Sequence, residues 1–131
     1  MPEDRNKPEN RLSGIIVDTC YQIHTRLGPG LLESLYEEVL FYELQKQKLA
    51  VKRQKAIPVT WDNKKMELGF RADLIIEDKV LIELKSVKSL AGVHYKQVLT
   101  YLKLTNLRLG LLVNFNEKLI KDGIKRVVYK L

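Results

Sequence analysis

Gly69-Phe70-Arg71-Ala72-Asp73-Leu74-Ile75-Ile76-Glu77-Asp78-Lys79-Val80-Leu81-Ile82-Glu83-Leu84-Lys85 reads as two strands joined by a tight turn. Leu74 to Ile76 and Val80 to Ile82 are unbroken apolar runs, the pattern of strands covered on both faces. Polar side chains inside such strands need a reason, and Asp73, Glu83 and Lys85 are those side chains. In an antiparallel hairpin, opposed residues have numbers with a constant sum. With Glu77, Asp78 and Lys79 as the loop, Ile76 faces Val80, Leu74 faces Ile82 and Asp73 faces Glu83. The two carboxylates then share a face, with Cβ atoms about 4.5 to 5.5 Å apart. Lys85 joins them because strand side chains alternate with period two. A two-residue loop would place the acids on different faces, so the shared face requires an odd loop or a bulge.

Two carboxylates held side by side repel, and a divalent cation removes the repulsion. A few hard oxygen ligands, with room left for water and phosphate oxygens, suit Mg²⁺ or Mn²⁺ better than zinc. Lys85 is a cation beside them, suited to stabilising charge on a phosphate or to orienting an attacking water. The same trio also suits an ordinary ion-pair cluster at a strand end.

Upstream of this hairpin, Leu12, Ile16, Cys20, Ile23 and Leu27 recur at helical spacing and predict a first helix over about 11–27. Gly28-Pro29-Gly30 ends it. His24, near that end, reads as a polar surface residue or a partner of the helix dipole. A second helix is expected over 32–46, with Glu33 in its first turn, where exposed N–H groups favour an ionised carboxylate. Tyr36 and Leu40 lie on the Glu33 face.

Val51 to Trp61 alternates as a strand with Lys52, Arg53 and Lys55 on its outer side, while Pro58 suggests an edge or a bulge. Asp62-Asn63-Lys64 supplies turn chemistry, and Met66 to Phe70 is expected to return as the partner strand. Gln54 is a polar residue in this strand that would reach the acidic site if it turned inward. After Lys85, a third helix is expected over 90–104, carrying Gln97 and Tyr101 on one face with His94 one turn earlier. Leu109 to Phe115 and Gly123 to Tyr129 follow as strands, joined by a turn over 118–122. The order of elements predicts an α/β fold, a mixed sheet flanked by helices.

The 131 residues suffice for one domain with a real core, and 45% hydrophobic with 30% charged residues describes a soluble globular protein. Residues 1–10 are polar and are expected to form a flexible tail, neither a signal nor a membrane anchor. The single Cys20 excludes an internal disulfide framework and a zinc cluster and fits a reducing, cytoplasmic compartment. Lys and Arg outnumber Asp and Glu by 23 to 16, a surplus suited to an anionic partner such as nucleic acid and equally to a solvated basic surface. Lys52, Arg53 and Lys55 lie in one concentration of that surplus and are the expected nucleic-acid contacts. Gly28-Pro29-Gly30 lacks the Gly-Lys-Ser/Thr ending of a phosphate-binding loop, and no Gly-x-Ser-x-Gly occurs.

Asp73, nine intervening residues and Glu83-x-Lys85 resemble the signature of the PD-(D/E)xK nuclease superfamily. Gly30-Leu31-Leu32-Glu33-Ser34-Leu35-Tyr36 resembles the pattern that names its GxxExxY family, and the likeness runs from about Leu12 to Val128. Ala72 stands where the superfamily name has proline, a backbone preference that binds nothing. The resemblance implies a restriction-endonuclease-like core and a Mg²⁺- or Mn²⁺-dependent nuclease acting on nucleic acid, DNA first. It implies metal binding by Glu33, Asp73, Glu83 and the Leu84 backbone carbonyl, and catalysis by Glu33, Asp73, Glu83 and Lys85. Gln-x-x-x-Tyr after Glu-x-Lys resembles an accessory motif of the exonuclease-like branch, which makes Gln97 and Tyr101, with Tyr36, supporting residues. The rival class is a non-catalytic nucleic-acid-binding or interaction module on the same fold. A third reading is a nuclease that acts only in a larger complex or as a homodimer.

Overall fold

The computed structural model describes residues 6–131. Helix α1 (Pro8–Leu27) begins three residues ahead of the expected Arg11. Proline suits a first helical position, where its missing N–H has no partner to lose. Asn10 in that first turn is buried and accepts a hydrogen bond from Arg126 of the last strand, a contact far away in sequence. Residues 8–10 therefore belong to the helix and not to the expected tail, of which positions 1–5 lie outside the described residues.

Helix α2 (Glu33–Lys46) follows, then strands β1 (Val51–Ile57), β2 (Thr60–Trp61), β3 (Lys64–Lys65), β4 (Phe70–Ile76) and β5 (Val80–Lys85). Helix α3 (Gly92–Thr105), strand β6 (Leu109–Asn114), the short helix α4 (Ile120–Gly123) and strand β7 (Ile124–Val128) complete the chain. Five strands form one mixed sheet in the order β1-β4-β5-β6-β7. Only β5 and β6 run parallel, as their connection through α3 requires. This is the expected α/β architecture.

The apolar stripe of α1 (Leu12, Ile16, Cys20, Ile23) packs with Tyr36, Leu40 and Leu44 of α2 on one face of the sheet, against Leu74, Ile76, Ile82, Leu84 and Leu111. On the other face, Val98 and Leu102 of α3 meet Ile75, Leu81, Leu112 and Val127. Covering on both faces explains the unbroken apolar runs of β4, β5 and β6.

One expected strand divides. Pro58 has no N–H and restricts Ile57 before it, so β1 stops at Ile57. Thr60 and Trp61 pair instead with Lys65 and Lys64 in a separate two-stranded ribbon. The residues expected to return as the partner of Val51–Trp61 thus split, and the strand that pairs with β1 begins at Phe70. Past β6, α4 replaces the expected turn.

Candidate active site

The hairpin has the odd loop that the acidic residues require. Glu77 and Asp78 both take positive φ, 52° and 53°. Lys79 N–H closes the turn on the Ile76 carbonyl at 2.9 Å. Ile76 faces Val80 and Leu74 faces Ile82, and there the paired ladder ends.

Beyond Leu74 and Ile82 the carboxylates take over the cross-strand bonding. Asp73 N–H donates to Glu83 Oε1 at 3.1 Å, and Leu84 N–H donates to Asp73 Oδ2 at 2.8 Å. Each acid thus commits one oxygen to the opposite strand's backbone, and the two are locked as neighbours. Burial first and the Asp73 charge second push the Glu83 carboxyl up to about 8. Asp73 is also held above the usual carboxylate range, first by burial, with the Leu84 N–H opposing. Lys85 lowers both and makes no ion pair with any carboxylate among the described residues, so its ammonium is uncommitted beside them.

Glu33 reaches this site by way of Tyr36. The Tyr36 ring is fully buried and stacks on Phe115 with centroids 4.4 Å apart. Its hydroxyl donates to the Gly28 carbonyl at 2.6 Å and accepts from Leu31 N–H at 3.2 Å. The loop it pins needs glycine at Gly28 and Gly30, where φ is 71° and 92°. Ser86 Oγ–H, one residue past Lys85, donates to the Leu31 carbonyl at 2.7 Å and ties the same loop to the end of β5. The start of α2 is thereby set beside the acidic pair.

Glu33 feels that pair electrostatically. Its carboxyl is raised by burial and by Asp73, against the lowering pull of Lys85. The helix start was expected to favour the ionised form, and burial with a neighbouring charge opposes it. Glu33 does not close into a cluster with the pair, since no three of the described His, Cys, Asp and Glu residues gather closely enough to hold a metal ion. Tyr36→Phe lowers stability by about 1 to 3 kcal/mol, because Leu31 N–H and the Gly28 carbonyl lose a partner. Thermal unfolding measures it, and an unchanged midpoint would show that the loop is held by other contacts.

Two residues overlooked in the sequence complete the surroundings. Glu37, one turn after Glu33, is buried and takes Arg53 Nε–H on Oε2 at 2.7 Å and the Gln54 amide on Oε1 at 2.6 Å. Its i, i+4 spacing from Glu33 was a visible signal that both face one way. Asn114, fully buried at the end of β6, accepts from Val87 N–H at 3.1 Å and donates to the Val87 carbonyl at 2.9 Å. It fixes the chain as it leaves Lys85.

Gln54 does turn inward. Its Nε2 also lies 3.3 Å from Asp73 Oδ1. Its φ is 52°, a left-handed conformation inside a strand that costs a non-glycine residue on the order of 1 to 3 kcal/mol. Alternation slips opposite it as well: Ala72 packs in the α3 core and Leu74, two residues on, in the α1 and α2 core.

The remaining expected residues fall into two groups. Tyr101 stacks on Phe70 with centroids 3.7 Å apart, and its phenol is raised by burial, then by Glu83 and Asp73, so it borders the acids. Gln97, four residues earlier, is exposed and its side chain has no hydrogen-bond partner among the described residues. The basic trio is exposed throughout; Arg53 is engaged by Glu37 and Lys52 pairs with Asp78 at 2.7 Å, while Lys55 makes no ion pair among the described residues. His24 is buried, not on the surface, and its Nε2–H donates to the Glu117 carbonyl at 2.8 Å. Burial pushes the Cys20 thiol up to about 12, which removes it as a nucleophile.

Compared with known protein families, the chain matches the PD-(D/E)XK nuclease superfamily over residues 10–127, from the first turn of α1 to the last strand. It belongs to that superfamily. Members are typically metal-dependent, and membership implies a nucleic-acid substrate. No curated protein and no solved structure matches the chain. No described helix is long and apolar enough to cross a membrane.

Proposed function

We propose that the protein is a metal-dependent nuclease of the GxxExxY type, hydrolysing phosphodiester bonds in DNA in the cytoplasm. The observation that carries this is the locked pair Asp73 and Glu83, each bonded to the other's strand, with an uncommitted Lys85 beside them. The donor set fits a hard divalent cation. Glu83 keeps a second oxygen, Asp73 Oδ1 carries only the long 3.3 Å contact from Gln54, and both carboxyls are raised by burial.

Asp73, Glu83 and the Leu84 carbonyl would hold Mg²⁺ or Mn²⁺, with Glu33 drawn in from the start of α2. When bound, the ion lowers the pKa of a bound water and neutralises phosphate charge. Lys85 carries a fixed positive charge to the phosphate as it becomes more negative. Tyr101 keeps its proton and serves as a neutral hydroxyl donor at the edge of the site, and Gln97 meets the substrate from the exposed face of α3. Tyr36 contributes by holding the loop that places Glu33. The rival is a non-catalytic nucleic-acid-binding or interaction module that keeps the nuclease fold.

Cleavage of circular and linear DNA and of RNA, with Mg²⁺, with Mn²⁺ and with chelator, separates the two. Metal-dependent cleavage lost in Asp73→Ala supports the nuclease, whereas absence of cleavage of every substrate leaves the binding module. Size-exclusion chromatography with light scattering tests whether the active form is a homodimer.

Binding weakens as salt rises, with a log-log slope of about −0.9 per duplex phosphate neutralised. Replacing Lys52 and Lys55 by alanine flattens the slope by about one or two such increments, while Arg53→Ala acts on stability through Glu37. A slope unchanged in the double variant would place the phosphate contacts elsewhere.

A further inference from the structure

Strands β1 and β4 keep one register throughout. Val51, Lys52 and Arg53 pair with Ile76, Ile75 and Leu74, and Lys55, Ala56 and Ile57 pair with Ala72, Arg71 and Phe70. The pairing fails only at Gln54, which falls opposite Asp73. No residue is inserted, so this is not a register-shifting bulge. Neighbours on a regular strand point to opposite faces, yet Arg53 and Gln54 both bond the same Glu37 carboxylate, at 2.7 and 2.6 Å. The left-handed backbone of Gln54 makes this double contact feasible. A strained residue opposite an acidic pair, bonded into it, is the pattern expected where strain serves a site.

We infer that Gln54 is a positioning residue for the cation-binding Asp73, its amide bridging Asp73 Oδ1 to the anchored carboxylate of Glu37. The inference rests on the nuclease reading and goes beyond it. A side-chain amide has two N–H donors on one nitrogen, one for each acid. Glu37 is a fixed support, because Arg53 neutralises it and takes its other oxygen. Asp73 is then held at both oxygens, Oδ2 by Leu84 N–H and Oδ1 by Gln54, so the orientation of its carboxylate is set before the ion arrives. The 3.3 Å contact at Oδ1 is long enough to yield to an ion. A neutral amide suits this post better than lysine or arginine, whose charge would compete with the cation for the same oxygen. Partners of this kind, bonded to ligands and not to the ion, typically change metal affinity about 10- to 100-fold when removed.

Gln54→Gly separates this role from a structural one, because glycine accepts positive φ freely while deleting the amide. The test measures Mn²⁺ affinity by electron paramagnetic resonance and calorimetry, and thermal midpoint without metal, on wild type, Gln54→Gly and Gln54→Ala. The expected result is a Mn²⁺ Kd raised about 10- to 100-fold in both variants, with the Gln54→Gly midpoint above that of Gln54→Ala. An unchanged Kd in folded Gln54→Gly overturns the inference and leaves the nuclease reading standing, as does an affinity loss confined to the destabilised alanine variant. A wild-type chain that takes up no Mn²⁺ overturns both.

Discussion

Glu83→Gln raises the thermal midpoint of the metal-free protein at pH 8 and reduces cleavage to background. The folded carboxyl titrates at about 8, against 4.5 for its ordinary value, so between these pH values the folded state holds a proton that the unfolded state has released. Stability from this group is fully present below 4.5 and is lost as pH rises through about 8. The loss is on the order of a few kcal/mol, because each tenfold change in proton affinity on folding corresponds to about 1.4 kcal/mol. Glutamine keeps an oxygen for the Asp73 N–H and carries no charge, which removes the penalty and the metal ligand together. Thermal melts from pH 5 to 8 should therefore slope downward for wild type and flatten for Glu83→Gln. Saturating Mg²⁺ should raise the wild-type midpoint more at pH 8 than at pH 5 and do far less for the variant. A variant less stable than wild type at pH 8 would mean that Glu83 is already compensated in the protein, and the cation argument would fail with it.

Lys85→Ala should lower kcat by about 10²- to 10³-fold, or roughly 2.7 to 4 kcal/mol of barrier, the usual cost of losing one preorganised stabiliser of developing charge. The fold should be nearly unaffected, because Lys85 makes no ion pair among the described residues and is partly exposed. Metal affinity should not fall, since the lysine is a second cation that lowers Glu33, Asp73 and Glu83 and competes with the ion for their field. A charge that matters most in the transition state acts on kcat and not on substrate binding. A binding module would show the reverse, a modest and salt-sensitive loss of affinity with no cleavage to lose. Equal cleavage by wild type and Lys85→Ala, in both Mg²⁺ and Mn²⁺, marks a contaminant and withdraws the catalytic role.

The hairpin shows how much was legible in the chain. Its apolar runs and odd loop placed Leu74 against Ile82, and from that the neighbouring of Asp73 and Glu83 followed, because register in a hairpin is set locally by loop length. The stripe of α1 and the stop at Gly28 were legible for the same reason: periodicity and caps are properties of consecutive residues. Glu33 in the first turn of α2 was placed in the same way.

Tertiary structure decided what depends on partners distant in the chain. Pro8 opens α1 with Asn10 tied to Arg126, His24 turns inward to Glu117, and Pro58 severs the ribbon of β2 and β3 from β1. Arg53, still exposed, is engaged by a buried Glu37, and Tyr36 reaches back to pin the loop before Glu33. Gln54 is the clearest case. Nothing in Lys-Arg-Gln-Lys announces a left-handed residue, because intrinsic preference opposes it, and only the joint demand of Glu37 and Asp73 holds it there. Sequence by itself determined the three long helices, the hairpin register and the acidic pair, which arise from short-range sterics and alternation. The orientation of the carboxylates, and which charges are spent on structure, were settled by the packing of α2 against β1 and β4.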